Sequence, residues 1–571
     1  MISKLSLILF YKKKIISISI LLFFLTLVDF ISLGSIPFLV AFFLDENFYG
    51  IKILRNFLNF DLVNVFDKEN YLFFLFFLIF LIFLIKFFLN ILFYYLNERF
   101  QFEIKQSILS KLYKLYFLQD FFFFNRIGSS KIIRNLSIEV TNSAVYFSNI
   151  ILLIKELIII ALFFFSLFYI NLKFFLLFLT FTTISVISFI FILNKKIKLF
   201  GIDFLFAKEK LINNIKDSYN SFKEVKLYNL VELISINFRK ITDQINNISF
   251  KINLYKVLPK VYLELFLISI ILIVFYRLAN TQASFVSHVP MLSFIVILIA
   301  RFIPSFNVFV SVFTNLKFYQ QSLNHIIYEL NNLNSNKENF YEKNISDDFN
   351  IFLLHKIDYK IKFHNVNFSY SEKNHLFKNF NQIVAKRDKL LVTGKSGVGK
   401  TTFVNLLLGF IKDYQGKITL NDYDIKKNIR MWRDNFSYCP QQNLLIDDSF
   451  INNIIFKEDN EKVNKDLLDK IYKILDLDKI LINLPQKELT MLGEFGYQLS
   501  GGQKQRVNIA RALYKDRNIL ILDEATNALD EISEYNIINN ILEFYKERTV
   551  ILITHNENFK KIFNKILYLG K

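Results

Sequence analysis

The sequence predicts two fold classes in one chain: a bundle of membrane-spanning α-helices, then an α/β domain organised around a phosphate-binding loop. Three observations carry this reading. Long apolar runs dominate from Met1 to about Ile327, whereas from about Asn331 onward the chain has the mixed composition of a soluble domain. Gly394–Thr401 has the spacing G-x-x-x-x-G-K-[ST] between an apolar strand and an apolar helix. The length of 571 residues exceeds one typical domain.

A helix needs roughly 20 largely apolar residues to cross a bilayer. Six runs meet this: Ile15–Leu44, Tyr71–Leu96, Ile150–Ile170, Phe174–Leu193, Leu258–Leu278 and Val289–Phe313. Basic residues precede the first run, as in a signal peptide, but the run is too long and lacks a small-residue cleavage site, so it reads as a first span. The expected organisation is a membrane domain of six helices over 1–330, a polar joint over 331–350 and a nucleotide-binding domain over 351–571.

The net charge of +19 raises nucleic acid as a partner, but the basic residues cluster in loops beside the apolar runs, which argues against it. Asp45–Asn70 holds five acids against three bases and is expected outside. Asn97–Asn149 holds seven bases against four acids, and Asn194–Val257 twelve against six, so both are expected inside. Both inner stretches have apolar residues at spacings of three and four, which predicts helices that continue the spans beyond the membrane. A tight outer turn is expected around Asn171. The single cysteine, Cys439, excludes an intramolecular disulfide.

In the second half, Leu390–Val392 reads as a buried strand and Gly394, Lys395, Ser396, Gly397, Val398, Gly399, Lys400 and Thr401 as the loop, with Thr402 opening the helix. Glycines let backbone N–H groups turn toward a phosphate, the helix start adds positive potential, and Lys400 reaches the outer phosphates. Thr401 offers a hydroxyl to Mg²⁺. In "NILILDEAT", a second buried strand ends in two acids. Asp523 is expected to bind Mg²⁺ through water, and Glu524 to polarise the attacking water as general base.

A phosphate loop, then "LSGGQ", then a strand ending in Asp-Glu resembles an ATP-binding cassette ATPase, and the resemblance covers about Ile351–Lys571. It implies that Tyr370 of "VNFSY" stacks on adenine and that Gln441 of "YCPQQ" senses Mg²⁺ and the membrane domain. It further implies that Asp530 of "NALD" communicates between two ATP sites and that His555 of "LITH" contacts the terminal phosphate. Ser500, Gly501, Gly502 and Gln503 would close over ATP held by an opposing subunit. One set of motifs per chain then implies a homodimer, or a heterodimer with a related half-transporter. Six spans ahead of one cassette is similar to the half-size exporters. "FFFFNRIGSSKIIRNL" and "NSFKEVKLYN" resemble their two inner coupling loops, and "TMLGEFG" the segment ahead of the signature.

Within that group, "LPKVYLELF" and Arg301–Ile326 look similar to bacterial flippases of lipid-linked oligosaccharides. The implied cargo is a lipid-linked or amphipathic molecule moved outward across a bacterial inner membrane, with the ATPase in the cytoplasm. Multidrug, phospholipid or peptide export, and an ATP-switched regulator or channel, are the alternatives. Charges inside spans usually face a cavity or a partner. Lys86, Lys260 and Arg301 are therefore candidates to attract a pyrophosphate head, with snorkelling or pairing to Asp29 or Glu264 as the competing reading.

Overall fold

The computed structural model describes residues 12–44, 68–170, 172–279, 285–335, 358–371, 374–456 and 463–570. The chain divides into two compact units: Met1–Gln119 with Phe123–Lys337, and Asp120–Phe122 with Glu338–Lys571.

The first unit is helical. Its long helices are α1 (Lys12–Leu44), α2 (Lys68–Phe117), α3 (Val140–Ile170), α4 (Leu172–Asn220), α5 (Val231–Ala279) and α6 (Phe285–Ser335). Each of the six apolar runs lies inside one of them, and α2, α4, α5 and α6 continue well past the apolar run into charged sequence. Among the described residues, four stretches are long and apolar enough to cross a membrane: Lys13–Ile36, Phe73–Phe117, Ser129–Tyr169 and Ile295–Ser335. The runs Phe174–Leu193 and Leu258–Leu278 lie in α4 and α5, where many side chains fall outside the description. So do residues 45–67 and Asn171, where outward loops were expected. Helix α6 runs to Ser335, into the stretch expected as a joint, because nothing in "NNLNS" breaks it.

Helix α3 packs against α6, and α1 against α2, α3 and α6. Phe93, Phe100, Tyr116, Phe147 and Ile326 are buried in one core, and Phe163, Phe178, Phe302 and Phe306 in another. The outer face of α2 instead exposes Phe73, Phe76, Phe77, Phe80, Phe87 and Phe88. Such a face is stable against lipid tails rather than water. Two short helices, Phe121–Arg126 and Phe222–Leu227, occupy the stretches that resemble coupling loops. A π-helical turn, Asn135–Glu139, precedes α3. It places buried Arg134 on Glu209 and His325, while Asn135 Nδ2 donates to Tyr116 Oη at 2.7 Å. These bonds cross four helical segments and tie the extended part of the bundle together.

The second unit has two sheets. Strands β1 (Lys360–Ser371), β2 (Asn374–Ala385), β4 (Gln415–Leu420) and β5 (Tyr423–Asp424) form an antiparallel sheet in the order β2-β1-β4-β5. Strands β3 (Lys389–Thr393), β6 (Phe436–Cys439), β7 (Ile519–Asp523), β8 (Thr549–Ile553) and β9 (Lys565–Tyr568) form a parallel sheet, β6-β7-β8-β3-β9. β7 and β8 are buried along their full lengths, as the runs ILILD and TVILI require of strands covered on both faces. Helix α7 (Lys400–Leu407) leaves the phosphate loop; α8 (Gly501–Tyr514) follows the signature and α9 (Glu531–Phe544) follows Asp530. Phe403 of α7 stacks on Phe363 of β1 with ring centroids 5.3 Å apart. Trp432 Nε1 donates to the Leu407 carbonyl at 2.7 Å and so satisfies a carbonyl of the last turn of α7.

Candidate functional site

The phosphate loop connects β3 to α7 at the carboxyl end of the parallel sheet. Gly394, Gly397 and Gly399 have φ of 156°, 83° and 102°. A Cβ at Gly394 would stand 2.5 Å from the Leu569 carbonyl oxygen, so backbone contact as well as conformation demands glycine there. Lys395, Ser396 and Gly397 at the crest are exposed, as is Thr401, whereas Val398 is half-buried and Thr402 buried. The helix begins at Lys400, with Gly399 as its N-cap, so Thr402 lies within the first turn rather than at its start. Lys400 is buried and curls back across the loop, donating to the Gly394 carbonyl at 3.0 Å.

Beside it, β7 delivers its two acids. Asp523 is 2% exposed and accepts from Tyr438 Oη at 3.3 Å. Burial, opposed by the Tyr438 bond and helped by the neighbouring Glu524 charge, pushes its carboxyl up to about 6. Burial drives Tyr438 above the ordinary tyrosine range and the Cys439 thiol up to about 12. Cys439 is thus an inert packing group.

Glu524 has φ 49°, a left-handed backbone that is uncommon for glutamate, held by its N–H donating to the Ile553 carbonyl at 3.0 Å. The turn aims its carboxylate out of the sheet. Gln441 Nε2 donates to Oε2 at 2.8 Å and Asn527 Nδ2 to the same atom at 3.1 Å. His555 Nε2 is 3.3 Å from Oε1, and Lys400 Nζ 3.8 Å from it. His555 and Lys400 are themselves 2.9 Å apart. The structure therefore gathers Lys400, Gln441, His555 and Glu524, drawn from four separate stretches of sequence, around one carboxylate.

Tyr370 is the penultimate residue of β1, its side chain exposed, and its hydroxyl lies 3.1 Å from Thr402 Oγ1. Ser500 caps α8 in a capping box: its Oγ accepts from the Gln503 N–H at 3.4 Å, and Gln503 Oε1 accepts from the Ser500 N–H at 2.9 Å. Gly501 is exposed and Gly502 half-buried at the start of that helix, where a Cβ on Gly502 would meet the Ala528 carbonyl oxygen at 3.1 Å. Asp530 caps α9 by accepting from the Ser533 N–H at 2.9 Å, which holds its carboxyl below the usual range. Among the hydrogen bonds and ion pairs of the described residues, none joins Ser500–Gln503 to the Glu524 cluster.

A family profile described as ABC transporter matches residues 377–527. A Rickettsia typhi protein named for export ATP-binding/permease is 28% identical over 382 residues, covering 66% of this chain and 64% of that one. An ATP-dependent lipid A-core flippase of Desulfotalea psychrophila is 36% identical over 212 residues, covering 37% of this chain and 36% of that one. The structure of a bacterial Atm1-family ABC exporter with ATP bound superposes with a TM-score of 0.73 at 19% identity, covering 98% of this chain and 94% of that one. Residues 377–527 are an ABC transporter ATPase domain.

Several residues that position the site were not singled out from the sequence. Tyr438, Asn527 and Gln505 are three; Gln505 Oε1 accepts from the Ala528 N–H at 2.8 Å and steadies the turn before Asp530. Thr526, Glu534 and Asn556 are three more: Thr526 Oγ1 donates to Glu534 at 2.6 Å, and Asn556 Nδ2 at 2.9 Å. Tyr438 precedes the flagged Cys-Pro-Gln by one residue, which is a usable signal; the others have none. For Mg²⁺, the oxygen donors Thr401, Asp523 and Gln441 suit a hard cation that keeps waters and phosphate ligands. Among the described residues no group of three or more His, Cys, Asp or Glu stands together as a metal cage.

Of the three basic residues flagged in the membrane part, two pair with Asp29, as the competing reading had it. Lys86 Nζ is 2.7 Å from Asp29 Oδ1, and Arg301 Nη2 bonds Asp29 Oδ2. Lys260 lies in α5, but its side chain is outside the described residues.

Proposed function

We propose that this chain is an ATP-driven exporter, working as a homodimer, that moves an amphipathic or lipid-linked molecule outward across the membrane. The observation that supports it is the convergence of Lys400, Gln441 and His555 on Glu524 in a chain whose other unit carries membrane-length apolar helices. Glu524 is the base that orients and deprotonates the attacking water. Lys400 neutralises phosphate charge, His555 contacts the terminal phosphate, and Tyr370 presents an exposed ring to adenine. Thr401, Asp523 and Gln441 would hold Mg²⁺, which would supply charge stabilisation at the phosphates.

The capping box leaves the Ser500 hydroxyl proton and the first N–H groups of α8 free to meet an anion. Since these groups make no bond to their own chain's Glu524 cluster, they suit ATP on a second copy. Within the export reading, a lipid-linked oligosaccharide is the narrower substrate, its pyrophosphate drawn by Arg301, Lys86 and Lys260. The placement is a bacterial inner membrane with the ATPase on the cytoplasmic side.

Proteoliposomes test this. ATP-dependent transfer of a lipid-linked glycan between leaflets, absent with Glu524→Gln, supports the full reading. Transfer of a glycerophospholipid or hydrophobic drug instead would remove the oligosaccharide assignment and keep the exporter. ATP hydrolysis with no transfer of any of the three would overturn export.

A further inference from the structure

Behind the Glu524 cluster lies a buried carboxylate that the hydrolysis scheme does not use. Glu534 stands in the first turn of α9 and is 7% exposed. Its Oε1 accepts from Thr526 Oγ1 and its Oε2 from Asn556 Nδ2. Its own N–H donates to the Asp530 carbonyl at 2.8 Å. Thr526 comes two residues after Glu524, and Asn556 directly follows His555. The carboxylate therefore joins the loop behind the base to the loop behind the histidine, from the helix that Asp530 caps.

The two halves of this bridge carry unequal weight. The Glu524 turn is held without Thr526, because the Glu524 N–H already bonds the Ile553 carbonyl at 3.0 Å. His555 has less to hold it. Its side chain is 50% exposed, and its Nε2 faces Lys400 and Glu524, two groups that a bound phosphate would draw on. The place of the ring is thus set by the backbone on either side. On one side the Thr554 N–H, just past β8, reaches the Val392 carbonyl at 3.3 Å. On the other stands Asn556, whose amide is committed at both atoms. Its Oδ1 accepts from the Asn558 N–H at 3.0 Å, which leaves Nδ2 to donate to Glu534. Phe559 is buried against Tyr535 of α9, so the segment stays docked if that one bond is lost. Burying a carboxylate is costly, and the N-terminus of α9 offsets only part of the cost. A neutral side chain would pack there more cheaply, so the charge marks a need for a strong acceptor between two loops.

We infer that Glu534 is a positioning residue for ATP hydrolysis, acting through Asn556 to fix His555 against Glu524 and the phosphate loop. The inference rests on the reading that His555 meets the terminal phosphate. In this scheme neither Glu534 nor Asn556 touches nucleotide; the pair sets where the imidazole stands. A misplacement of roughly 1 Å at a group that acts in the transition state can cost about 100-fold in rate, so losing such an anchor is measurable.

The test is single-turnover ATP hydrolysis by the full-length chain in phosphatidylcholine nanodiscs, with retention of labelled ATP and the unfolding midpoint measured alongside. Asn556→Asp sets two carboxylates face to face, and should slow hydrolysis about tenfold while ATP retention stays within about twofold. Adding Glu534→Gln to it reverses donor and acceptor, and should return the rate to within about threefold of wild type. In a His555→Ala background, Asn556→Asp should cost no further rate, a result that a general loss of structure cannot give. An unchanged rate with Asn556→Asp, no recovery in the double variant, or an undiminished loss in the His555→Ala background would overturn the inference. Should Asn556→Asp not fold, Asn556→Ala removes the donor without adding charge. It should slow hydrolysis about threefold in the wild-type background and not at all in His555→Ala; equal effects in the two backgrounds would overturn the inference. If His555→Ala alone hydrolyses ATP at the wild-type rate, the reading of His555 fails and this inference with it. A slow His555→Ala beside an unaffected Asn556→Asp sinks the positioning role alone.

Discussion

At the end of β7, Glu524 receives Lys400, Gln441 and His555, with the His555 side chain 50% exposed and those of Glu524 and Lys400 13% and 7%. Inside the helical unit, Asp29 receives Lys86 and Arg301 with its own side chain 5% exposed. Both centres are one carboxylate among cations, yet they differ in what they cost. In the first, water and a strained backbone turn keep the charges available, so neutralising one removes chemistry and little stability. In the second, the charges hold one another in an apolar medium, so removing one strands the rest. The two centres are told apart by what surrounds them, a phosphate loop and a strand end in one and membrane-length helices in the other, not by residue type.

The largest effect that sharpens this contrast is on stability. Asp29→Ala should cost about 3–5 kcal/mol by leaving two cations unpaired, seen as a lowered unfolding midpoint in detergent. Glu524→Gln should stay within about 1 kcal/mol of wild type in the same assay. Equal losses would erase the distinction between the two centres.

Next in size is Lys400→Ala, which removes charge-assisted bonds to phosphate and should weaken retention of labelled nucleotide by about 10- to 100-fold. Unaltered retention would mean that the lysine's contacts with Gly394 and His555 are its whole role.

A smaller effect lies behind the site. Thr526→Val deprives Glu534 of a buried donor, and should lower stability by about 1–3 kcal/mol while Asn556 still binds the carboxylate. A larger loss of ATP hydrolysis than of stability would move Thr526 into the chemistry.

The smallest expected effect is a pH profile. Burial raises Asp523 from 3.8 to about 6, so between those values the folded chain holds a proton that the unfolded chain has released. The contribution of Asp523 to stability is therefore greatest at the acid end and is lost as pH rises through about 6. Relative to Asp523→Asn, wild-type stability should fall across that window. ATP hydrolysis, which needs the ionised carboxylate, should fall in the opposite direction, as pH drops below about 6. Parallel wild-type and Asp523→Asn stability curves would contradict the raised value.

The contrast also explains what was legible in the sequence. The phosphate loop is readable because its constraints are local: Gly394, Gly399 and Lys400 serve one turn between one strand and one helix. The six apolar runs were readable because each is a continuous property of composition, and all lie in long helices. The Ser500–Gln503 capping box is also visible as a spacing of three. The Asp29–Arg301 pair spans 272 positions and leaves no local trace. The sequence flagged Arg301 and Lys86 as costly charges, and named Asp29 only as one possible partner. Lys155 and Glu156, both buried in α3, passed unnoticed, because two opposite charges in an apolar run read as neutral on average. The left-handed turn at Glu524 was equally invisible, since nothing in "LDEAT" demands it. It is imposed by the bond to Ile553, a residue of another strand.

The central claim is that Glu524, gathered with Lys400, Gln441 and His555, is the base for ATP hydrolysis. The most direct measurement is single-turnover phosphate release by purified Glu524→Gln protein alongside retention of labelled ATP. The account predicts release slowed by about 10²- to 10⁴-fold with nucleotide still bound. Release at near wild-type rate, with nucleotide equally well held, would contradict it.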